Sequence, residues 1–306
     1  MKNLLYLVAA ILLFSCNSKE KKMTQNENIN NEGKELYTHL YASWVGIFNI
    51  EERDTTKLYI EEPTLINILI KKITESEVTG QRIIAGKSRP LKGSVRRTGN
   101  TFYFTLKEPG DDKNDGTYNF EIKNDSILVG TWTANDPKKE VTKRSYTLSK
   151  KVFKYDPNVM LPEEIYVDFQ NPKEPQTKIA ETVKEEKAEK DTLSDNDEDE
   201  MENDGKLYRT ASDIVYTINS STTKLKESQL KNLKKIELEI LRNTIFARHG
   251  FAFKSKTIRQ FFDYVDWYIP LFNNVDDKLT ETERQNITIL KRFEKYAEDN
   301  YDTFGR

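Results

Sequence analysis

The stretch Phe102-Tyr103-Phe104-Thr105-Leu106 alternates strictly, with Phe102, Phe104 and Leu106 on one face and Tyr103 and Thr105 on the other. Successive side chains of a β-strand point to opposite faces, so a period of two marks a strand with one face in a core. Similar runs recur on both sides: Trp44 to Ile50, Leu65 to Ile73, Glu77 to Ile84, Leu91 to Arg97, Thr117 to Lys123, Ile127 to Thr133 and Arg144 to Lys150. Turn signals stand between them, among them Thr98-Gly99-Asn100, Pro109-Gly110-Asp111-Asp112 and Lys123-Asn124-Asp125. About eight short strands predict an antiparallel β meander, closed into a small barrel, over residues 36–156.

Trp44-Val45-Gly46-Ile47-Phe48 and Gly130-Thr131-Trp132 resemble small barrels of the lipocalin and avidin kind, where a Trp near the first strand plugs one end. The resemblance implies a mouth that holds a small apolar or sugar-like ligand among aromatics such as Tyr103 and Trp132. The alternative is a barrel filled by its own side chains. Arg82, Arg89, Arg96, Arg97, Lys87 and Lys92 make the region basic and are expected on solvated strand faces, where charge also blocks edge pairing.

The N-terminus carries an address. Lys2 precedes an apolar run of 11 residues from Leu4 to Phe14, well short of a bilayer span, so residues 1–15 read as a signal peptide. Leu13-Phe14-Ser15-Cys16 resembles the lipobox of bacterial lipoproteins, with the looser fit at Phe14. This implies lipidation of Cys16, the only cysteine of the chain, and anchorage to a membrane by more than one acyl chain. A plain secretory signal would leave that thiol without a partner. Asn17 at the next position favours the outer membrane, facing the periplasm or the cell surface. Residues 16–35, rich in Asn, Lys and Glu, are expected to form a flexible tether.

Residues 157–206 read as a disordered acidic linker. Pro157, Pro162, Pro172 and Pro175 discourage regular structure, and residues 185–204 hold eleven acidic residues against two lysines. Asp195, Asp197 and Asp199 alternate as calcium ligands do, but a loop begun at Asp195 has Glu200 and Lys206 where an EF-hand needs Gly and Glu. The linker is expected to stay extended as a solvated spacer and to hold the second domain well out from the membrane.

Residues 207–306 have helical period and predict a small α-helical domain. One helix runs from Lys234 to His249 and stops at Gly250, a second covers Lys256 to Val265, and a third runs from Thr280 to Asn300. Thr280 and Glu283 form a capping box at the head of the third. The run Leu241-Arg242-Asn243-Thr244-Ile245-Phe246-Ala247-Arg248-His249-Gly250-Phe251 closely resembles the signature of the YARHG domain, with Phe246 where that family has tyrosine. The likeness continues through Phe261-Phe262, Trp267-Tyr268, Pro270, Leu279-Thr280, Glu283 and Asn286. It implies an extracytoplasmic module of bacterial lipoproteins with a binding role at the cell envelope.

At 100° per residue, Arg242 and His249 share one stripe with Leu238 and Ile245, while Arg248 falls beside Glu237 and Thr244. Arg242, Asn243 and His249, with Trp267 and Tyr268 nearby, are the candidate binding residues; Arg248 is expected to be exposed or to serve as a helix C-terminal cation. The alternative is a polar core that fixes how the helices meet. Asp263 or Asp266 could supply a carboxylate to His249. No phosphate loop, nucleophile elbow or recognisable catalytic constellation appears, and two histidines with one cysteine point to no metal site or cofactor. The net charge of −2 does not favour nucleic acid. The reading is a non-catalytic envelope lipoprotein that binds or scaffolds, with the membrane and peptidoglycan or another envelope component as partners. Its rivals are a cell-wall hydrolase using His249 as base and a carrier of small ligands in the β-domain.

Overall fold

The structure, a computed structural model, describes residues 33–56, 64–110, 115–162, 167–168, 208–209 and 213–300. The signal peptide, Cys16, most of the tether and nearly all of the acidic stretch lie outside the described residues.

Strict alternation builds the first half. Strands β1 (Ser43–Arg53), β2 (Leu65–Ile73), β3 (Val78–Ile84), β4 (Lys87–Thr98), β5 (Thr101–Lys107), β6 (Gly116–Lys123), β7 (Ile127–Ala134) and β8 (Val141–Lys151) form an antiparallel meander. It closes because β1 pairs with both β2 and β8. Closure leaves no strand edge unpaired. Inward positions carry Phe48, Ile66, Ile68, Phe102, Phe104 and Phe120, among others, in a single core. A 3-10 turn (Thr38–Leu40) covers one end, where the fully buried Trp44 donates from Nε1 to the Leu40 carbonyl at 3.3 Å. Trp132 also lies inside, 5% exposed, but Tyr103 does not line the interior as the barrel resemblance implied. It has the opposite parity to Phe102 and Phe104 and stands 37% exposed beneath the Arg96 guanidinium.

The charges of β3 and β4 are not all solvated. Arg82 and Arg89 occupy inward positions toward the other end, and each meets a buried carboxylate. Arg82 Nε donates to Glu108 Oε1 at 2.6 Å and Arg89 pairs with Asp115. Glu108 also accepts from the Gly116 N–H at 2.9 Å, and its side chain has no exposed surface. Period-two reading places an arginine inward or outward but not its partner, because Glu108 and Asp115 fall outside the strands. An ionic layer therefore lies across this end of the barrel interior.

After β8 the chain becomes a strap, residues 152–162, laid over the second domain. Two short strands, β9 (Val167–Asp168) and β10 (Tyr208–Arg209), pair antiparallel. The second domain contains α1 (Ile214–Thr217), α2 (Glu227–Leu230), α3 (Lys235–Arg248), α4 (Lys256–Phe262) and α5 (Glu281–Asn300). Helix α3 ends in a Schellman motif. The Phe251 N–H returns to the Phe246 carbonyl and the Gly250 N–H to that of Ala247, with Gly250 at φ 74°. The capping box of α5 is present: Thr280 N–H donates to Glu283 Oε2 at 2.9 Å, and Glu283 N–H to Thr280 Oγ1 at 3.2 Å.

The two domains are not held apart. Residues 34–306 form one compact unit, and the helical core takes in Val45 and Leu65 from the outer barrel wall and Leu161 from the strap. Leu65 N–H donates to Asp263 Oδ2 at 3.3 Å and Asn67 Nδ2 to the Pro270 carbonyl at 2.8 Å. The β3–β4 turn fits closely too, since a Cβ on Gly86 would meet the Phe253 carbonyl at 2.8 Å. Proline and acidic residues predict an irregular connection, yet they say nothing of whether its ends converge. Removing one partner of a buried ion pair strands the other, so Glu108→Ala is expected to destabilise the barrel by about 3 kcal/mol, measured by denaturant unfolding.

Candidate functional site

The motif at the end of α3 is a network of internal bonds. His249 is the C-cap of α3 and Glu283 is the third residue of α5, so the pair joins two helix ends. His249 Nε2 lies 2.9 Å from Glu283 Oε2. Tyr155, from the strap, stacks on the imidazole at 4.2 Å between ring centres and donates its hydroxyl to Glu283 Oε1 at 3.0 Å. Burial alone would push the Glu283 carboxyl up, but hydrogen bonds from His249, Thr280 N–H and Ser221 pull it down to about 2. Glu283 is therefore ionised at neutral pH and accepts, which places a proton on His249 Nε2. Tyr155 is raised to about 12, by burial first and by Glu283 second.

The remaining motif residues are similarly engaged. Arg242 makes a bidentate pair with Glu294 of α5, at 2.6 and 3.0 Å. The stripe that helical geometry assigned to Arg242 and His249 thus faces α5. Asn243 is buried and its Oδ1 lies 3.5 Å from Arg242. Trp267 Nε1 donates to the Met160 carbonyl at 2.8 Å, and Tyr268 donates to that of Phe251 at 2.7 Å. Arg248 is not exposed. It is 3% accessible, donates to the Val159 carbonyl at 2.9 Å and to Ser221 Oγ at 3.0 Å, and is lowered to about 10, chiefly by burial. The strap covers that face of α3, and no local pattern in α3 announces it. Backbone is bridged by Asn286, which donates to the Ser220 and Thr223 carbonyls at 2.8 and 2.7 Å and accepts from Leu225 N–H at 2.9 Å.

Open polar chemistry lies instead at the seam between the domains. A cleft of about 620 Å³ runs between the outer wall of β1, β8 and β7 and the segment 263–268. Asp263 lines it with 7% of its surface exposed, supplying Oδ2 to Leu65 N–H while Arg259 stands 3.6 Å away. It provides no carboxylate to His249. Burial raises Asp263 to about 7, against the opposing effects of Arg259 and the Leu65 N–H. A smaller cleft of about 380 Å³ adjoins at Lys151, lined by Phe153, Lys154, Trp267 and Ile269. Of the predicted site residues, only Trp267 and Tyr268 touch either cleft. Tyr264, Lys151 and Thr147 escaped the sequence reading, and Asp263 was read only as a partner for His249, because the seam joins segments more than a hundred residues apart.

Residues 213–295 match the model of the YARHG domain, so the chain carries that domain at its C-terminal end. The comparisons with curated proteins and with solved structures found no match.

Two expectations follow. The folded state keeps a proton on Asp263 that the unfolded chain releases above pH 3.8, so this group lowers stability as pH rises from there to about 7. Asp263→Asn should remove that slope and raise the melting temperature at pH 8, an effect on the order of a few kcal/mol; melting curves across pH measure it. Residues 207–306 alone lack Tyr155 and Leu161, which cover the motif and fill its core. That fragment should melt at lower temperature and less cooperatively than one beginning at residue 152, by calorimetry.

Proposed function

We propose that this protein is an envelope lipoprotein, anchored by lipid on Cys16, with a non-catalytic binding or scaffolding role performed by the barrel and the YARHG domain as a single body. The contrast in polar groups carries the reading. The motif's named polar atoms are used up inside the domain, whereas the seam cleft keeps free hydrogen-bonding groups at its surface. His249 is poorly suited to act as a base on a wall polymer, since its Nε2 is held by Glu283 and its ring lies under Tyr155. The lipobox-like Leu13-Phe14-Ser15-Cys16 and the match to the YARHG domain support a location at the envelope. Peptidoglycan is the partner to try first.

The anchor and the binding role separate experimentally. Cys16→Ser should abolish metabolic palmitate labelling and release the protein from membranes; persistent labelling would refute the anchor. The full chain without its signal should be retained by purified peptidoglycan and release no muropeptides. Muropeptide release abolished by His249→Ala in a folded protein would favour a hydrolase instead.

A further inference from the structure

The cleft wall is made by the outward positions of three adjacent strands. Asn49 lies on β1, Ser145, Thr147 and Ser149 on β8, and Thr131 on β7, with aliphatic Val45, Ile47 and Val129 between and beside them. None of those five polar side chains makes a hydrogen bond among the described residues. Across from them, Tyr264 is half-buried, and Asp263 Oδ1 has no hydrogen-bond partner among the described residues although the side chain is nearly buried. A carboxyl oxygen that lines the cleft without a protein partner is free to accept a hydrogen bond from whatever enters it.

The composition of the cleft selects among ligands. An extended peptide cannot add a strand here, because β1, β7 and β8 each have both neighbours within the closed barrel. An anion is disfavoured. Asp266 brings a carboxylate, Asp263 a carboxyl that already accepts from Leu65 N–H, and the one ammonium among the lining residues, Lys151, donates to the Asp266 backbone carbonyl. A purely apolar ligand would bury five hydroxyl and amide groups without partners. What remains is an uncharged molecule bearing many hydroxyl or amide groups and a modest apolar face, at a volume within the range of small-ligand sites.

We propose that the seam cleft is a carbohydrate site that takes an uncharged oligosaccharide. The Ser145-Thr147-Ser149 row with Thr131 and Asn49 meets its hydroxyls, Asp263 Oδ1 takes a hydrogen bond from it, and the Tyr264 ring lies against a sugar face. This deepens the binding reading above and rests on it. The site exists only while the two domains are docked, so neither domain alone carries it.

Titration calorimetry of the full chain without its signal, with chitotriose and with maltotriose as probes, tests the assignment. Thr147→Arg and Ser149→Arg place a long side chain in the cleft from exposed strand positions, where folding is expected to survive. Tyr103→Ala, on the outer face of β5, is the control. Binding of at least one sugar at millimolar concentration or tighter, weakened about tenfold or more by either arginine and unchanged in the control, is the expected result. Absence of binding to both sugars up to about 10 mM, or equal binding by folded Thr147→Arg and Ser149→Arg proteins, would overturn it. Peptidoglycan retention distinguishes the source of the glycan. Loss of retention together with sugar binding in Thr147→Arg assigns the cleft to wall glycan, and retention that survives assigns it to free oligosaccharide, with wall binding elsewhere. Native protein that binds sugar but is not retained by peptidoglycan would defeat the wall-binding reading and leave the cleft assignment standing.

Discussion

The side chain of Glu283 has no exposed surface, and three separate parts of the chain converge on its two oxygens. Thr280 N–H brings the start of α5, His249 the end of α3, and Tyr155 the strap leaving the barrel. A buried carboxylate is tolerable only when such donors surround it, so Glu283 cannot be satisfied unless all three parts are in place. Its position in the first turn of α5 also sets the carboxylate near the helix end that favours negative charge. In contact in space and far apart in sequence, these groups make the helical domain depend on a segment that precedes it by more than fifty residues.

That dependence gives the YARHG motif a structural meaning in this chain. Gly250 permits the left-handed turn that ends α3, His249 reaches α5, and Arg248 reaches the strap. Phe246 packs on Phe251 at 5.9 Å between ring centres, an apolar setting in which phenylalanine serves. The residues of the motif here hold the domain together, and they support surfaces that remain open. The seam is such a surface: Asp263 and the Pro270 carbonyl, carried by the helical domain, meet Leu65 and Asn67 of β2, and the cleft opens beside that contact.

The barrel contributes rigidity in a complementary way. Its wall strands are paired on both sides, and its interior holds aromatic and aliphatic side chains at one level and two ion pairs at another. A closed sheet holds the outward row of β8 at fixed spacing. Such a row offers little specificity by itself; opposed by Tyr264 and Asp263 it becomes one side of a cleft.

Much of the local structure was legible from residues alone. Alternation of Phe102, Phe104 and Leu106 gave a strand and its buried face, Gly250 ended a helix, Thr280 with Glu283 began one, and helical arithmetic put Arg242 and His249 on one stripe. These are short-range consequences of backbone geometry, so they are written within a few residues. Partners are not local. That Arg82 turns inward onto Glu108, that the strap buries Arg248, and that Asp263 meets β2 depend on chain segments brought together only when the whole unit folds. The sequence alone determined the elements, their faces and the motif; the tertiary structure decided that the motif closes on itself and that the open polar surface lies at the seam, because contacts between distant segments leave no periodic trace.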